Sequence, residues 1–269
     1  MSLAGRTRFG APNIVQWAHT TGLALSIMLL AAPSAWAQDA PRVLKAMFDY
    51  VGSQKSIALT YDTDVEVMTP DLQKIQFAAS GELQLNRPDK LRATRTGGYA
   101  DIELLFDGKT ATISGKGMNV FAQKEAAGSV DDLVDKLRSE AGMDIPGADL
   151  LLARGYDEVM KDVIDSKHIG QGVIDGVECE HLAFRNAEVD WQIWIQLGAR
   201  PIPRKYVITS KMVAGGPQYT LRIKDWKTDA PAAADAFVFK NAAGMTKVEI
   251  SALRDIDEIP HGVDAGAKK

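Results

Sequence analysis

Cysteine is nearly absent from this chain of 269 residues: Cys179 is its only one. An intramolecular disulfide is therefore excluded, and so is any zinc site built on several thiolates. The same scarcity leaves no cysteine to accept a lipid at the junction described below. Basic residues are outnumbered, 31 against 35 acidic ones, so the chain lacks the positive stripe that phosphate backbones require and no nucleic acid partner is expected. Histidine occurs four times, without a His-x-x-x-His spacing, and Gly115-Lys116-Gly117 has neither the spacing of a P-loop nor a following Ser or Thr. No metal or cofactor is expected. Long apolar runs are also missing. The longest, Leu23 to Ala32, is too short to span a bilayer comfortably.

That run has a different meaning in its context. Arg6 and Arg8 precede it, and Ala35-Trp36-Ala37 follows as a small-x-small site, the pattern of an export signal. Cleavage is expected after Ala37, leaving 232 of the 269 residues, with no stable membrane span. Loss of Arg6 and Arg8 takes the net charge from −4 to −6. The remaining length suffices for one sizeable domain, expected over residues 38–259, with a small, charged, flexible tail at 260–269.

Periodicity outlines the fold. Leu44, Met47, Phe48 and Val51 recur at helical spacing within Pro41 to Val51, with Asp39 as the expected cap. Ile57, Leu59, Tyr61, Thr63, Val65 and Val67 then alternate, Thr69-Pro70-Asp71 turns the chain, and Ile75, Phe77, Ala79 and Leu83 alternate on the way back. This predicts an antiparallel hairpin, with Gly81 marking a bulge or bend. Leu91 to Thr96 reads as a strand, and Asp107-Gly108 as a hairpin turn. Ser129 and Asp132 resemble a capping box ahead of Val130, Leu133, Val134 and Leu137, with Gly142 ending the helix. Two short helices are expected at 148–153 and 156–163. Strands resume near His168 and turn at Asp175-Gly176; they continue through 177–184, 190–196, 205–210, 218–226 and 236–239. Trp191, Ile193 and Ile195 share one face. The whole predicts an α+β fold: one large, curved antiparallel sheet with helices covering one side.

Three segments carry a resemblance to the periplasmic outer-membrane lipoprotein carriers. Gly81-Glu82-Leu83 with Arg87-Pro88 resembles their Gly-x-Leu/Trp…Arg-Pro pattern, Asp107-Gly108-Lys109-Thr110 their hairpin, and Phe237-Val238-Phe239 with Gly244 their closing strand. Together with Asp190 to Ile195 and Pro203 to Tyr206, the chain is similar to an uncharacterised family of predicted periplasmic proteins within that superfamily. The resemblance implies an unclosed β-barrel, a helical lid over an apolar cavity, a periplasmic location and no enzymatic activity. It also implies that Arg87 hydrogen-bonds the lid backbone and keeps the cavity shut, consistent with the five donors of a guanidinium. The residues alone leave a surface ion pair open for Arg87. The carriers' aromatic Tyr-Asn-Pro stretch is replaced here by Ala111 to Gly117, so the cargo need not be theirs.

The expected ligand-binding residues are Arg87 and the apolar positions Ile57, Leu59, Tyr61, Ile75, Phe77, Trp191 and Ile193; apolar alternation of this kind is more often ordinary core than the lining of a cavity. Cys179 and His181, two apart on one strand face with Asp190 beyond, form the weakest of three readings, a hydrolase: same-face neighbours stand about 6–7 Å apart at ordinary strand rise. His168, His181 and Asp175 lack metal-site spacing; His19 belongs to the signal and His261 to the tail. The leading expectation is a soluble periplasmic carrier for a lipid or lipoprotein cargo. The alternative is a non-catalytic module that binds an envelope protein partner on the same fold.

Overall fold

Two faces of one sheet decide this architecture, because only one of them is layered with helices. The computed structural model describes residues 39–253 apart from 116, 144, 230, 231, 234, 242 and 243, together with 259 and 263. The expected signal, its cleavage site, His19, His261 and nearly all of the expected tail lie outside the described residues. Helix α1 (Ala40–Ser53) leads into a hairpin of β1 (Ser56–Met68) and β2 (Lys74–Asn86). Then come β3 (Lys90–Gly97), β4 (Asp101–Phe106), β5 (Thr110–Gly115) and β6 (Val120–Glu125). Helix α2 (Val130–Ala141), a 3₁₀ turn (Ala148–Leu151) and α3 (Gly155–Met160) interrupt the strands. The chain resumes with β7 (Asp165–Ile174), β8 (Val177–Arg185), β9 (Val189–Gln196), β10 (Pro203–Ser210), β11 (Gln218–Thr228) and the two-residue β12 (Thr246–Lys247).

The strands form a single 12-stranded sheet in the order β12-β6-β5-β4-β3-β2-β1-β11-β10-β9-β8-β7. Every pairing is antiparallel except the short β12 on β6, and the sheet ends at β12 and β7 without closing among the described residues. Two consecutive meanders thus join where β1 pairs with β11. The expected α+β fold with an unclosed sheet is observed. No helix among the described residues is long and apolar enough to cross a membrane.

Local chemistry accounts for the elements. In α1 the buried Leu44, Met47, Phe48 and Val51 face the sheet; full burial of each such side chain contributes about 1.5–3 kcal/mol. Asp39 precedes this helix but makes no side-chain capping bond; its carbonyl instead accepts from Arg42 and Val43 N–H. The capping box of α2 forms as expected, Ser129 accepting from the Asp132 N–H and Asp132 from the Ser129 N–H, and left-handed Gly142 ends the helix. Of the two short helices expected next, the first is the 3₁₀ turn.

Two further expectations are corrected. Gly81 is not at a bulge: the β1–β2 and β2–β3 registers run through it unbroken. A Cβ there would stand 2.4 Å from Tyr61 Cζ and 2.1 Å from the Thr94 carbonyl oxygen, so the glycine exists to let the Tyr61 ring lie across it. Residues 236–239 are not a strand; they form a turn in which Phe237 is buried and Phe239 packs on Phe121 at 4.6 Å. Their aromatic side chains are satisfied by covering the outer face of β6, without any ladder of backbone bonds. The edge strand that follows, β12, carries no alternation long enough to be read from sequence.

Candidate functional site

The inner face of the sheet is read from its registers. One cross-strand row runs Ile57, Leu85, Leu91, Phe106, Ala111 toward β5, and beside it runs Leu59, Leu83, Ala93, Leu104, Ile113, Ala122. Most of these positions lie in the core cluster with α1, α2 and the 3₁₀ turn. Another row runs in the opposite direction: Phe77, Val65, Tyr219, Ile208, Trp191, Phe184. Its far end is buried at Trp191 and Phe184, which stack at 4.0 Å. Its near end, from Phe77 to Ile208, is only half-buried.

The predicted apolar positions therefore separate. Ile57, Leu59, Trp191 and Ile193 are 1, 5, 3 and 0% exposed and belong to the buried core cluster. Ile75 and Phe77 sit half-buried at the start of β2, and Phe77 joins Ala79, Arg95 and Tyr99 in lining a cleft of about 300 Å³. Tyr61 lies between the two groups and donates its hydroxyl to the Thr94 carbonyl at 2.8 Å. Tyr219 and Ile208, which link Phe77 to Trp191, escaped sequence reasoning. Each belongs to an alternating strand, but the register that aligns them is long-range.

Arg87 stands at the break between β2 and β3. Its Nε donates to the carbonyl of Gln54 at 3.1 Å, just past α1, and its Nη2 to the carbonyl of Leu151 at 2.5 Å, at the end of the 3₁₀ turn. The backbone takes part as well: Arg87 N–H bonds the Lys55 carbonyl, and the Pro88 carbonyl accepts from Val130 N–H at the start of α2, both at 2.9 Å. One dipeptide thus ties three covering elements to the sheet. Helix-end carbonyls are the groups that lack partners inside a helix, and the guanidinium supplies them. Burial lowers the Arg87 pKa, while nearby Asp131 opposes that shift; the group stays charged. Asp131, 9% exposed, accepts from the N–H groups of Ala153 and Arg154, both at 3.2 Å. Gln54, Leu151 and Asp131 carry no motif that sequence reasoning detects.

Other ties hold the cover together. Arg138 grips Asp149 through two bonds of 2.8 and 2.9 Å, joining α2 to the 3₁₀ turn, and Lys124 on β6 pairs with Glu140 on α2 at 2.6 Å.

Cys179 and His181 do not form a nucleophile–base pair. The buried thiol donates to the Val177 carbonyl at 3.4 Å, and burial pushes its pKa up. His181 Nε2 meets Gln192 Oε1 at 2.9 Å, and its ring stacks on Trp194 at 4.1 Å. Asp190 pairs with Arg185 at 2.7 Å. His168 faces the inner side, 2.6 Å from Glu180, whereas His181 faces the outer side, so the two cannot share an ion. Among the described residues no three His, Cys, Asp or Glu side chains gather as metal ligands.

The sequence profile of a family described as "Predicted periplasmic protein (DUF2092)" matches residues 40–251. No curated protein matches the chain. Among solved structures it is similar to an uncharacterized conserved protein from Thermus thermophilus, at 12% identity and a TM-score of 0.48, over 79% of this chain and 99% of that one. It is similar to LprF from Mycobacterium bovis at 14% identity and 0.45, over 72% and 94% of the two chains. For the lipoprotein LppX from Mycobacterium tuberculosis the values are 14% and 0.36, over 73% and 98%.

Proposed function

The chain belongs to the DUF2092 family of predicted periplasmic proteins, and from that premise we propose that it binds the acyl chain of a lipid or lipoprotein between its sheet and its helical cover. The observation that carries this reading is the inner row from Phe77 through Val65, Tyr219 and Ile208 to Trp191. It is continuous and apolar, half-buried at one end and covered at the other. An acyl chain laid along it gains about 0.8 kcal/mol per CH₂ removed from water. Ile57, Leu59, Tyr61, Ile75 and Ile193 extend the same face. In the closed form the covered part is filled by the protein's own side chains, so cargo enters only as the cover lifts. Arg87 acts as the latch: its bonds to Gln54 and Leu151 break when α1 and the 3₁₀ turn move away from the sheet.

Native mass spectrometry of protein purified from the periplasm, followed by solvent extraction, tests the proposal. A defined added mass that extracts as lipid, with its occupancy changed in Arg87→Ala, supports it. An unliganded mass and no uptake of added fatty acid overturn it.

A second reading has its own support. Leu44, Met47, Val51, Leu133 and Ile193 are all 0% exposed, the packing of a permanent core. On that reading the protein is a non-catalytic envelope module that binds another protein, and the cover does not lift. Absence of lipid, together with slow and cooperative hydrogen exchange across α1 and α2, favours it.

A further inference from the structure

The outer face of the sheet carries its own rows, which alternate with the inner ones. Arg92 pairs with Leu105 and Leu105 with Thr112; beside them Glu103 pairs with Ser114 and Ser114 with Phe121. Leu105, Ser114 and Phe121 are 7, 2 and 8% exposed, because the chain returns over this face after β11. Phe239 packs on Phe121 at 4.6 Å, and Thr246 N–H donates to the Asn119 carbonyl at 3.0 Å. The returning chain and the sheet do not close on each other. Between them lies a cleft of about 510 Å³, lined on the sheet side by Arg92, Glu103, Leu105, Ser114 and Asn119 and on the other by Phe239 and Lys240 among others. That volume is within the range of small-molecule sites, about 300–1,000 Å³.

Three features of the lining set its chemistry. Its charges cancel: Arg92 Nε donates to Glu103 Oε1 at 2.9 Å with Nη2 at 2.8 Å from the same oxygen, and Lys240 pairs with Asp235, another lining residue. Polar groups are left uncommitted at the same time. The Ser114 hydroxyl, the Asn119 side-chain amide and Glu103 Oε2 bond no other side chain or backbone group among the described residues. For Ser114, at 2% exposure, a hydroxyl without a partner costs free energy unless something in the cleft supplies one. Leu105 and Phe239 give the third feature, an apolar wall.

These features discriminate between ligand classes. An acyl chain leaves Ser114, Asn119 and Glu103 without partners. An anion meets the Glu103 and Asp235 carboxylates, and a cation meets Arg92 and Lys240, so neither sign is favoured. A neutral ligand with many hydroxyls satisfies the whole lining. We propose that this outer cleft binds a saccharide without charge. Its hydroxyls donate to Glu103 Oε2, accept from the Asn119 amide and exchange bonds with Ser114, while the C–H face of the ring lies against Phe239 and Leu105. The proposal is independent of acyl binding, because that row lies on the inner face.

The test follows the purified mature protein by NMR against glucose, galactose, mannose and N-acetylglucosamine, and then against the amino-sugar and uronic acid counterparts of whichever binds. Saturable shifts at residues 103, 114, 119 and 239 are expected with at least one neutral sugar at millimolar concentration, with about tenfold weaker binding of its charged counterparts. Ser114→Ala and Asn119→Gly each remove one hydrogen-bonding group and should lower affinity about tenfold; glycine suits the positive φ of 52° at residue 119. Ala236→Trp, which fills the cleft from the returning chain, should abolish binding. All three variants are expected to keep fatty acid uptake. No shift with any of the four neutral sugars, shifts confined to the inner face, or binding unchanged in Ser114→Ala and Ala236→Trp overturns the proposal. Tighter binding of a charged counterpart overturns it as well, and makes the cleft an ion site.

Discussion

The guanidinium of Arg87 and the carbonyl of Leu151, 64 residues apart in sequence, are joined by a 2.5 Å hydrogen bond. The bond crosses from the sheet to the helical cover, and the same side chain holds Gln54 at the C-terminal end of α1. No carboxylate takes part in either contact, so the residue serves helix ends and not a surface ion pair. Loss of the side chain leaves the carbonyls of Gln54 and Leu151 without this donor.

Arg87→Ala is therefore expected to lower stability by about 1.5–3 kcal/mol, the range for hydrogen bonds to a charged group. Arg87→Lys restores part of this, since an ammonium reaches one carbonyl but lacks the fork. Urea unfolding measures the loss, and amide exchange near Gln54 and Leu151 locates it. Unchanged exchange there, with an equal loss in both variants, contradicts the latch.

Gly81→Ala is expected to destabilise by about 3 kcal/mol, the upper end for overpacking. The added Cβ meets Tyr61 at 2.4 Å and the Thr94 carbonyl at 2.1 Å. Removing the ring in Tyr61→Ala does not rescue it, because the carbonyl belongs to the neighbouring strand and remains. Denaturation of the single and double variants checks this; full rescue by Tyr61→Ala places the conflict in the ring alone.

Asp62 responds to pH with a definite sign. Lys224 at 2.6 Å, then the Ser80 hydroxyl at 2.7 Å, hold its carboxyl below the ordinary value of 3.8. The unfolded chain takes up the proton first, so the contribution is complete at neutral pH and is lost as pH falls through 3.8 and below. Both side chains are partly exposed, which limits the effect to about 1 kcal/mol or less. The stability gap between wild type and Asp62→Asn should close on acidification; a gap that widens reverses the assignment.

Cys179, 0% exposed and with its thiol pKa raised by burial, is expected to react with a disulfide reagent only through opening of the fold. Labelling should be slower in the native protein than in denaturant by about 10³ or more. Rapid stoichiometric labelling of the native protein points instead to an accessible thiol.

Much of this arrangement was legible from residues close together in sequence. The β1–β2 hairpin follows from Ile57 to Val67, Thr69-Pro70-Asp71 and the returning alternation. The capping box at Ser129, the turns at Asp107-Gly108 and Asp175-Gly176, and the shared face of Trp191, Ile193 and Ile195 follow in the same way. Each depends on side chains a few positions apart, whose spacing either matches a helical or strand period or does not. Arg87 was legible only through a resemblance, since its own neighbours do not say where it points.

By itself, then, the sequence determined most of the elements, their turns, and which face of each strand is apolar. Only the tertiary structure decided that β1 pairs with β11, that Gly81 makes room for Tyr61, and that Phe77 and Trp191 fall in one row. It alone placed Leu151 beside Arg87, turned residues 236–239 into a covering turn, and set β7 at the end of the sheet among the described residues. The physical reason is that turn chemistry and periodicity act over a handful of residues. Register between distant strands is chosen by burial and hydrogen bonding summed over the whole chain, and no local segment contains that sum.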